Sequence, residues 1–262
     1  MRARFSAWTF GLLLFAVLCT GTGMYLSPPD VIRVGAFSEA SPNEQYPPGW
    51  SLFEMAPGHT QTRYDLVESA VGTAVRARSQ GGLSSLYTES RIDLSTHPIL
   101  EWRWKIDRLA KTDVTKKSRN DVTAGIVVTF AHTELGLFQS LQRFLMNLLG
   151  YYVVPDRTLI YFWANRVQEG SAHKGPVVDW QPKVAVRSGS THVGTWVTER
   201  RNVLKDYQTV FGSPPPPVTN VSIITETNNT REMVTAYYGD ILFRFSADSL
   251  IGPPLKTEHV SD

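Results

Sequence analysis

The chain of 262 residues contains one cysteine, Cys19, and it lies in the N-terminal segment. The rest of the chain therefore has no intramolecular disulfide, no cysteine nucleophile and no zinc site with cysteine ligands. Exported proteins without disulfides are common in bacteria and less common in the eukaryotic secretory route. This cysteine content favours a bacterial envelope protein.

Charge is also scarce, at 19% of residues, and it is balanced. Outside Arg2 and Arg4 the chain has 24 basic and 24 acidic residues. A neutral domain has no electrostatic basis for binding nucleic acid, so we expect no nucleic-acid partner. With 42% hydrophobic residues, the composition is that of a folded globular protein.

Only the N-terminus carries an uncharged run long enough to span a bilayer. Arg2 and Arg4 precede residues 5–26, whose apolar centre is followed by small residues. This pattern is typical of a secretory signal peptide, and the run is also just long enough for an uncleaved anchor. We predict a signal peptide or membrane anchor over residues 1–26, with residues 5–26 contacting the membrane if uncleaved. The remainder, residues 27–262, is then placed in the bacterial periplasm or on the outer face of the inner membrane.

Common catalytic signatures are missing from the sequence. There is no Gly-x-Ser-x-Gly elbow, no P-loop, no dinucleotide fingerprint and no pair of histidines at metal-site spacing. A pair of carboxylates across a sheet cleft would still suit glycoside cleavage, and Glu101, Glu199 and Asp206 are candidates. Whether the protein is an enzyme stays open, although the missing motifs favour a protein that is not one.

The fold class follows from many short segments of alternating or β-branched residues separated by glycine and proline. Residues 99–106 alternate cleanly, with Trp102 and Trp104 on one face and charged residues on the other. Strands do not alternate with long helices, which argues against an α/β fold. We predict an all-β sandwich forming a single domain over residues 27–262.

One segment, residues 134–152, breaks the β pattern because its leucines and phenylalanines recur at helical spacing. We predict an amphipathic helix inserted into the sandwich. It either packs over an edge or face of the sandwich or lies on a membrane beside the N-terminal anchor. Arg143 is the only basic residue of this segment, so attraction to anionic lipid would be weak.

Several motifs resemble those of one family. They are Glu101-Trp-Arg-Trp-Lys105, Gly194-Thr-Trp-Val-Thr-Glu-Arg-Arg-Asn-Val203, Asp206-Tyr207, Phe211-Gly-Ser-Pro214 and Ala236-Tyr-Tyr-Gly-Asp-Ile241. From about Pro48 to Phe243 the chain resembles the bacterial exported family catalogued as domain of unknown function 3047. The resemblance implies a jelly-roll sandwich similar to galactose-binding-like domains and carbohydrate-binding modules.

The sequence departs from the family pattern at residues 225–230. It reads Thr-Glu-Thr-Asn-Asn-Thr, where such proteins tend to have Thr-Asp-Thr-Asp-Asn-Thr. Glu226 and Asn228 replace the two aspartates, so a metal or polar site built from those carboxylates would lose one charge.

Candidate binding residues follow from the high aromatic content, since six tryptophans lie beyond residue 26. Sugars stack on exposed aromatic rings, while Asp, Asn and Arg side chains hydrogen-bond their hydroxyls. The ligand-binding candidates are Trp102, Trp104, Tyr161, Trp163, Trp196, Arg200, Arg201, Asp206 and Asn228. The alternatives are core packing for the aromatics and a structural ion pair of one of the two arginines with Asp206 or Glu199.

Asp240 is the candidate metal ligand. In sandwiches similar to carbohydrate-binding modules, a carboxylate near this point often helps to hold a structural calcium, which the resemblance therefore implies. Calcium takes about six to eight oxygen ligands, and the others are not identified by the sequence. The alternative is a hydrogen-bonding aspartate at a β-bulge. No other cofactor is expected.

Three functional hypotheses follow. The leading one is a non-catalytic exported sandwich that binds a saccharide or another polar ligand of the cell envelope. The second is a glycan-active enzyme with carboxylates in a sheet cleft. The third is a structural envelope protein tethered to the membrane.

Overall fold

The computed structural model describes residues 30–131, 136–149, 157–175 and 180–245. In these ranges the strands are β1 Val31–Gly35, β2 Ser51–Glu54, β3 Arg63–Ser69, β4 Gly72–Gln80, β5 Ser84–Ile92, β6 Ile99–Ile106, β7 Gly125–Phe130, β8 Thr158–Ala164, β9 Ala172–His173, β10 Lys183–Ser188, β11 Val197–Asn202, β12 Val218–Ile224 and β13 Met233–Arg244. The α-helices are α1 Leu137–Leu148 and α2 Val203–Phe211. The predicted signal or anchor over residues 1–26 lies outside the described residues.

The strands form two sheets that pack face to face. Sheet A has the order β11-β6-β13-β4-β3, with β1 also paired to β13. Sheet B has the order β2-β5-β12-β7-β8-β10-β9. Pairing is antiparallel except between β8 and β10, which run parallel. The predicted all-β sandwich is confirmed.

Strand β6 shows how residue alternation determines which side chains enter the core. Leu100, Trp102, Trp104 and Ile106 are fully buried between the sheets, whereas Arg103 is exposed on the outer face. Successive side chains of a strand point to opposite faces, so this strand contributes one apolar and one charged surface.

Four of the predicted ligand-binding aromatics form the layer that joins the two sheets. Trp102 of sheet A lies 5.8 Å from Tyr161 of sheet B, and Trp104 lies 5.7 Å from Trp163, measured between ring centroids. All four rings are fully buried, so they have no free face for a sugar. This corrects the ligand-binding expectation, because core packing accounts for all four.

Helix α2 is not among the elements that the sequence analysis predicts. Asn202 caps its N-terminus by accepting a hydrogen bond from the Lys205 N–H at 3.0 Å. Gly212 ends it in the left-handed conformation at φ 68°. Tyr207 packs on Phe130 of β7 with ring centroids 4.5 Å apart, so α2 closes one end of the sandwich. Asparagine followed ten residues later by glycine was an available signal for this helix.

Helix α1 lies within the predicted helical segment, whose residues 134–135 and 150–152 are outside the described ranges. Its leucine and phenylalanine side chains face away from the sandwich and are 50 to 93% exposed. The expectation that this helix packs its apolar face on the sandwich is therefore wrong. No helix among the described residues is long and apolar enough to cross a membrane.

Candidate functional site

The outer face of sheet B forms a groove of about 1130 Å³. Strand register aligns one row of groove-lining side chains across five strands: Tyr87, Ser222, Val127, Ile160 and Lys183. The row mixes an aromatic ring, a hydroxyl, aliphatic groups and an amine. A surface of this size and mixed chemistry is typical of a ligand site.

Two aromatic rings occupy the edge of the groove formed by β2 and β5. Phe53 and Tyr87 contact each other edge to face, with ring centroids 6.1 Å apart and planes at 80°. Both are half-buried, so each keeps part of its ring surface exposed to the groove. Exposed ring surface is what the apolar face of a pyranose needs for stacking.

Hydroxyl and amide groups lie among the aliphatic side chains of the groove floor. The polar, uncharged lining residues are Ser85, Ser90, Thr129, Thr158, Gln181, Thr219, Asn220, Ser222, Asn120, Asn228 and Asn229. The Ser222 hydroxyl donates to Asn220 Oδ1 at 3.0 Å, which fixes the orientation of that amide. Groups of this kind both donate and accept hydrogen bonds, so they suit a ligand rich in hydroxyls.

One end of the groove contains a buried lysine and a buried carboxyl. Lys183 Nζ donates to the backbone oxygen of Asn120 at 2.6 Å and to its side-chain oxygen at 2.7 Å. Burial lowers the pKa of Lys183, although neighbouring Glu226 and Asp121 act in the opposite direction. Burial likewise raises the pKa of Glu226 to about 7, against the attraction of Lys183. Glu226 therefore changes its protonation state near neutral pH, and only the protonated form can donate a hydrogen bond.

The loop that follows β12 is held in place by Asp121. Its carboxylate accepts hydrogen bonds from the backbone and side chain of Asn229, at 3.0 and 2.8 Å. It accepts two more from the backbone and hydroxyl of Thr230, both at 2.7 Å. These contacts place Glu226 and Asn228 in the groove lining. Asn228 is thus the one sequence-predicted ligand residue that lines this groove.

The Asn228 side-chain oxygen is buried and accepts no hydrogen bond from the described part of the chain. A buried acceptor without a donor costs free energy. In the sequence analysis, Asn228 is a departure from the family pattern and a candidate ligand-binding residue.

Arg201 and Asp206, both predicted to bind ligand, instead form a buried ion pair. Arg201 donates to Asp206 through Nε at 2.9 Å and Nη2 at 2.6 Å. The Tyr161 hydroxyl donates to the same carboxylate at 3.0 Å. Burial raises the pKa of Asp206 despite these partners. The structural ion pair, which was the alternative interpretation, accounts for these residues.

Glu199 and Glu101, the other two proposed catalytic carboxylates, are also in ion pairs. The Glu199 carboxylate accepts hydrogen bonds from Arg187 Nε at 2.9 Å and Nη2 at 3.1 Å. Burial raises the pKa of Glu199 even so. Glu101 is bound by Arg200 and by Arg244, the latter at 2.9 and 3.0 Å. Burial acts to raise the pKa of Glu101, but these two arginines lower it below its usual value.

The two glutamates that line the groove, Glu89 and Glu226, are separated along it. Glu89 lies opposite Asn220 in the β5–β12 register, and Glu226 follows Asn220 by six residues. Six residues at about 3.3 Å each separate their backbones by up to about 20 Å. Glycosidases hold their two carboxyls about 5–10 Å apart. The positions of Glu89 and Glu226 therefore do not favour a glycosidase pair.

Trp196 and Arg200 lie on the outer face of sheet A, on the opposite side of the sandwich from the groove. Trp196 is half-buried and contacts Tyr237, with ring centroids 6.4 Å apart. Lys105 Nζ lies 5.7 Å from the Trp196 ring centroid and 4.3 Å from that of Tyr237. These residues therefore do not share a site with Asn228.

Asp240 of β13 is hydrogen-bonded to Ser38, which follows β1. Its carboxylate accepts hydrogen bonds from the Ser38 backbone N–H at 2.8 Å and hydroxyl at 2.7 Å. No group of three or more His, Cys, Asp or Glu residues in the described ranges is arranged to hold a metal ion. Two donors directed at one carboxylate do not fit the oxygen-rich ligand set that calcium requires.

The sequence analysis does not predict most of the residues that line the groove. Phe53, Tyr87, Lys183 and Glu226 line the groove but are not among the candidate residues. The alternation of Ser85, Tyr87 and Glu89 was an available signal for a polar, ligand-facing strand surface.

Comparison with known proteins identifies a family and a set of similar folds. Residues 48–242 match the family described as Protein of unknown function (DUF3047), which confirms the resemblance seen in the sequence motifs. A search of curated proteins finds no match.

Among solved structures, the xylan-binding module CBM15 is similar, with a TM-score of 0.36 and 12% identity over 84% of this chain and 98% of that one. The K2 cleaved adhesin domain of Lys-gingipain has a TM-score of 0.35 and 10% identity, covering 82% and 98%. The Emp47p carbohydrate recognition domain has a TM-score of 0.38 and 12% identity, covering 82% and 95%. Similarity of this degree does not transfer a ligand from those proteins to this chain.

Proposed function

The chain belongs to DUF3047, a family of proteins of unknown function, and we propose that it binds a saccharide in the groove on sheet B. The observation that carries this proposal is the composition of the groove. Partly exposed Phe53 and Tyr87 rings lie at one edge, and the floor combines aliphatic side chains with hydroxyl and amide groups. Saccharides present the same two surfaces, an apolar ring face and a rim of hydroxyls.

The environment of Asn228 adds a specific contact. Asn228 lines the groove, and its buried side-chain oxygen has no donor from the described residues, so a rotation of this side chain would let a ligand hydroxyl supply one. Beside it, Glu226 accepts or donates a hydrogen bond according to its protonation, since its pKa is about 7. A sugar hydroxyl is both donor and acceptor, so it satisfies either state.

The proposed role is binding without catalysis. The ion pairs of Glu101, Glu199 and Asp206 and the separation of Glu89 from Glu226 support this part of the proposal. The N-terminal pattern over residues 1–26 supports export to the bacterial cell envelope, where polysaccharides are abundant ligands.

A glycan-array screen of the detergent-solubilised full chain tests the proposal, with Tyr87→Ala and Asn228→Ala as groove variants. We expect a reproducible saccharide hit that each variant weakens by about tenfold, since that factor corresponds to one aromatic contact or one hydrogen bond. Trp196→Ala is the matched control, because Trp196 is also a half-buried aromatic but lies on the other sheet. A folded protein without any hit, or a hit lost only in Trp196→Ala, would overturn the groove assignment.

A further inference from the structure

Helix α1 turns its apolar face away from the protein. The exposed side chains recur at helical spacing along one face: Leu137, Phe138, Leu141, Phe144, Leu145, Leu148 and Leu149. Leu137 is 93% exposed and Leu148 74%. Met146 lies on the other side of the helix and lines the groove. A helix on the surface of a water-soluble domain normally has the reverse orientation, with its apolar stripe against the core.

In sheet A, strand pairing locates the point where the described chain begins. Val31, the first residue of β1, pairs with Arg244 at the end of β13. Arg244 also pairs with Ile99 at the start of β6. The chain therefore enters the sandwich at the end where β6 starts and β13 finishes.

In sheet B, the pairing locates the attachment of α1. Phe130, at the end of β7, pairs with Val218, which also pairs with Ile92 at the end of β5. The Phe130 N–H donates to the backbone oxygen of Arg157 at 3.1 Å, just before β8. Both chain segments that lead to α1 therefore start at this end of sheet B.

These two ends are the same end of the sandwich, because residues 93–98 connect β5 directly to β6. We call it the chain-entry end. Only residues 27–29 separate Asp30 from the uncharged run 5–26. A chain of that length reaches about 14 Å at most when extended. A bilayer that holds residues 5–26 therefore lies close to the chain-entry end, and Phe245, 49% exposed, also lies there.

We propose that α1 is a membrane-docking helix whose apolar face enters the interfacial region of the bilayer beside the N-terminal segment. A helix of 12 residues is about 18 Å long and about 10 Å wide, so it suits a position in the plane of the interface. Since Arg143 is the only charged residue within α1, insertion rests on apolar contact and does not require anionic lipid.

The area of α1 favours lipid over a second copy of the chain as the occupant. The footprint of one face of the helix is about 200 Å², from its length and width. A stable dimer buries about 800 Å² on each partner. A bilayer needs no such matching surface. Because Met146 lines the groove, docking would also place the groove beside the membrane surface.

The test uses the full chain with single-cysteine labels, since Cys19→Ser removes the only native cysteine. Phe144→Cys and Met233→Cys carry the same environment-sensitive fluorophore. The two side chains are matched in exposure, at 63 and 59%. Met233 begins β13 and so lies about 36 Å along that strand from the chain-entry end. Each protein is reconstituted into phosphatidylcholine vesicles with and without a nitroxide-labelled lipid.

We expect the nitroxide lipid to quench the label at position 144 at least twofold and to leave the label at 233 unchanged. Adding Leu141→Gln and Leu148→Gln should reduce quenching at 144 without lowering the midpoint of thermal unfolding, because both side chains are exposed. Equal quenching at 144 and 233 would overturn the proposal. So would a shift at 144 that requires no lipid and grows with protein concentration, since that result would indicate a second copy.

Discussion

The Tyr161 hydroxyl donates a hydrogen bond to Asp206 Oδ2 at 3.0 Å and so links sheet B to α2. The same carboxylate accepts two hydrogen bonds from the guanidinium of Arg201, which lies in β11 of sheet A. One buried carboxylate therefore joins both sheets and the helix that closes one end of the sandwich. Its environment is dry enough that burial raises the pKa of Asp206 in spite of Arg201.

Replacing Asp206 with alanine should lower the free energy of unfolding by about 3–5 kcal/mol, as is usual when one partner of a buried ion pair is removed. Urea denaturation followed by tryptophan fluorescence measures this change. The control is Glu39→Ala, which removes the exposed ion pair with Arg33 and should have little effect. Equal losses in the two variants would show that the Asp206 site does not carry the stability assigned to it.

Trp102 and Trp104 offer a matched pair of core substitutions. The Trp104 Nε1–H donates to Glu199 at 3.2 Å, whereas Trp102 Nε1 has no partner within the described chain. Both rings are fully buried, so replacement by phenylalanine leaves a similar cavity at each site. Trp104→Phe should destabilise more than Trp102→Phe by about 1–3 kcal/mol, because it also removes a hydrogen bond to a charged group. A larger loss for Trp102→Phe in urea denaturation would contradict this.

The position of strand β6 could be predicted from the sequence, but which of its two side-chain faces is buried could not. The bounds of β6 agree with the prediction because apolar and charged residues alternate there without interruption. Alternation places Trp102 and Trp104 on one face, but it does not say whether that face meets the other sheet or solvent. That choice depends on Tyr161 and Trp163, which are distant in sequence and pack from the opposite sheet.

The groove was harder to predict than the fold for a related reason. Tyr87, Ser222 and Lys183 lie far apart in sequence and meet only through the pairing of five strands. The pKa of Glu226 likewise depends on its burial and on the charges of Lys183 and Asp121. Local sequence patterns indicate that such side chains point outward from the sheet. They do not indicate which strands lie next to each other, and so they do not predict which side chains share a groove.

The contact between Asp240 and Ser38 gives a prediction on calcium. Since Ser38 already donates two hydrogen bonds to this carboxylate, neither added calcium nor chelator should change the midpoint of thermal unfolding. Ser38→Ala should lower that midpoint slightly, by the loss of one exposed hydrogen bond. Stabilisation by calcium that disappears in Asp240→Asn would instead identify a metal site there.

Glu226 should make the stability of the fold depend on pH. Its pKa is about 7 in the folded protein, against an ordinary value of 4.5. Between these two values the folded state binds more protons than the unfolded state, so the free energy of unfolding falls as pH rises. Above about pH 7 this contribution levels off. A difference of this size corresponds to about 3 kcal/mol, which neighbouring Lys183 and Asp121 modulate.

Glu226→Gln isolates this contribution, because glutamine keeps the shape of the protonated carboxyl and does not titrate. Burial also raises the pKa of Glu199 and Asp206, so the wild-type slope contains their contributions as well. The difference between wild type and variant removes them. We expect the two proteins to have similar unfolding free energies at pH 5, and the variant to be the more stable at pH 8. Parallel pH profiles for the two proteins in urea denaturation would show that Glu226 does not titrate in this range.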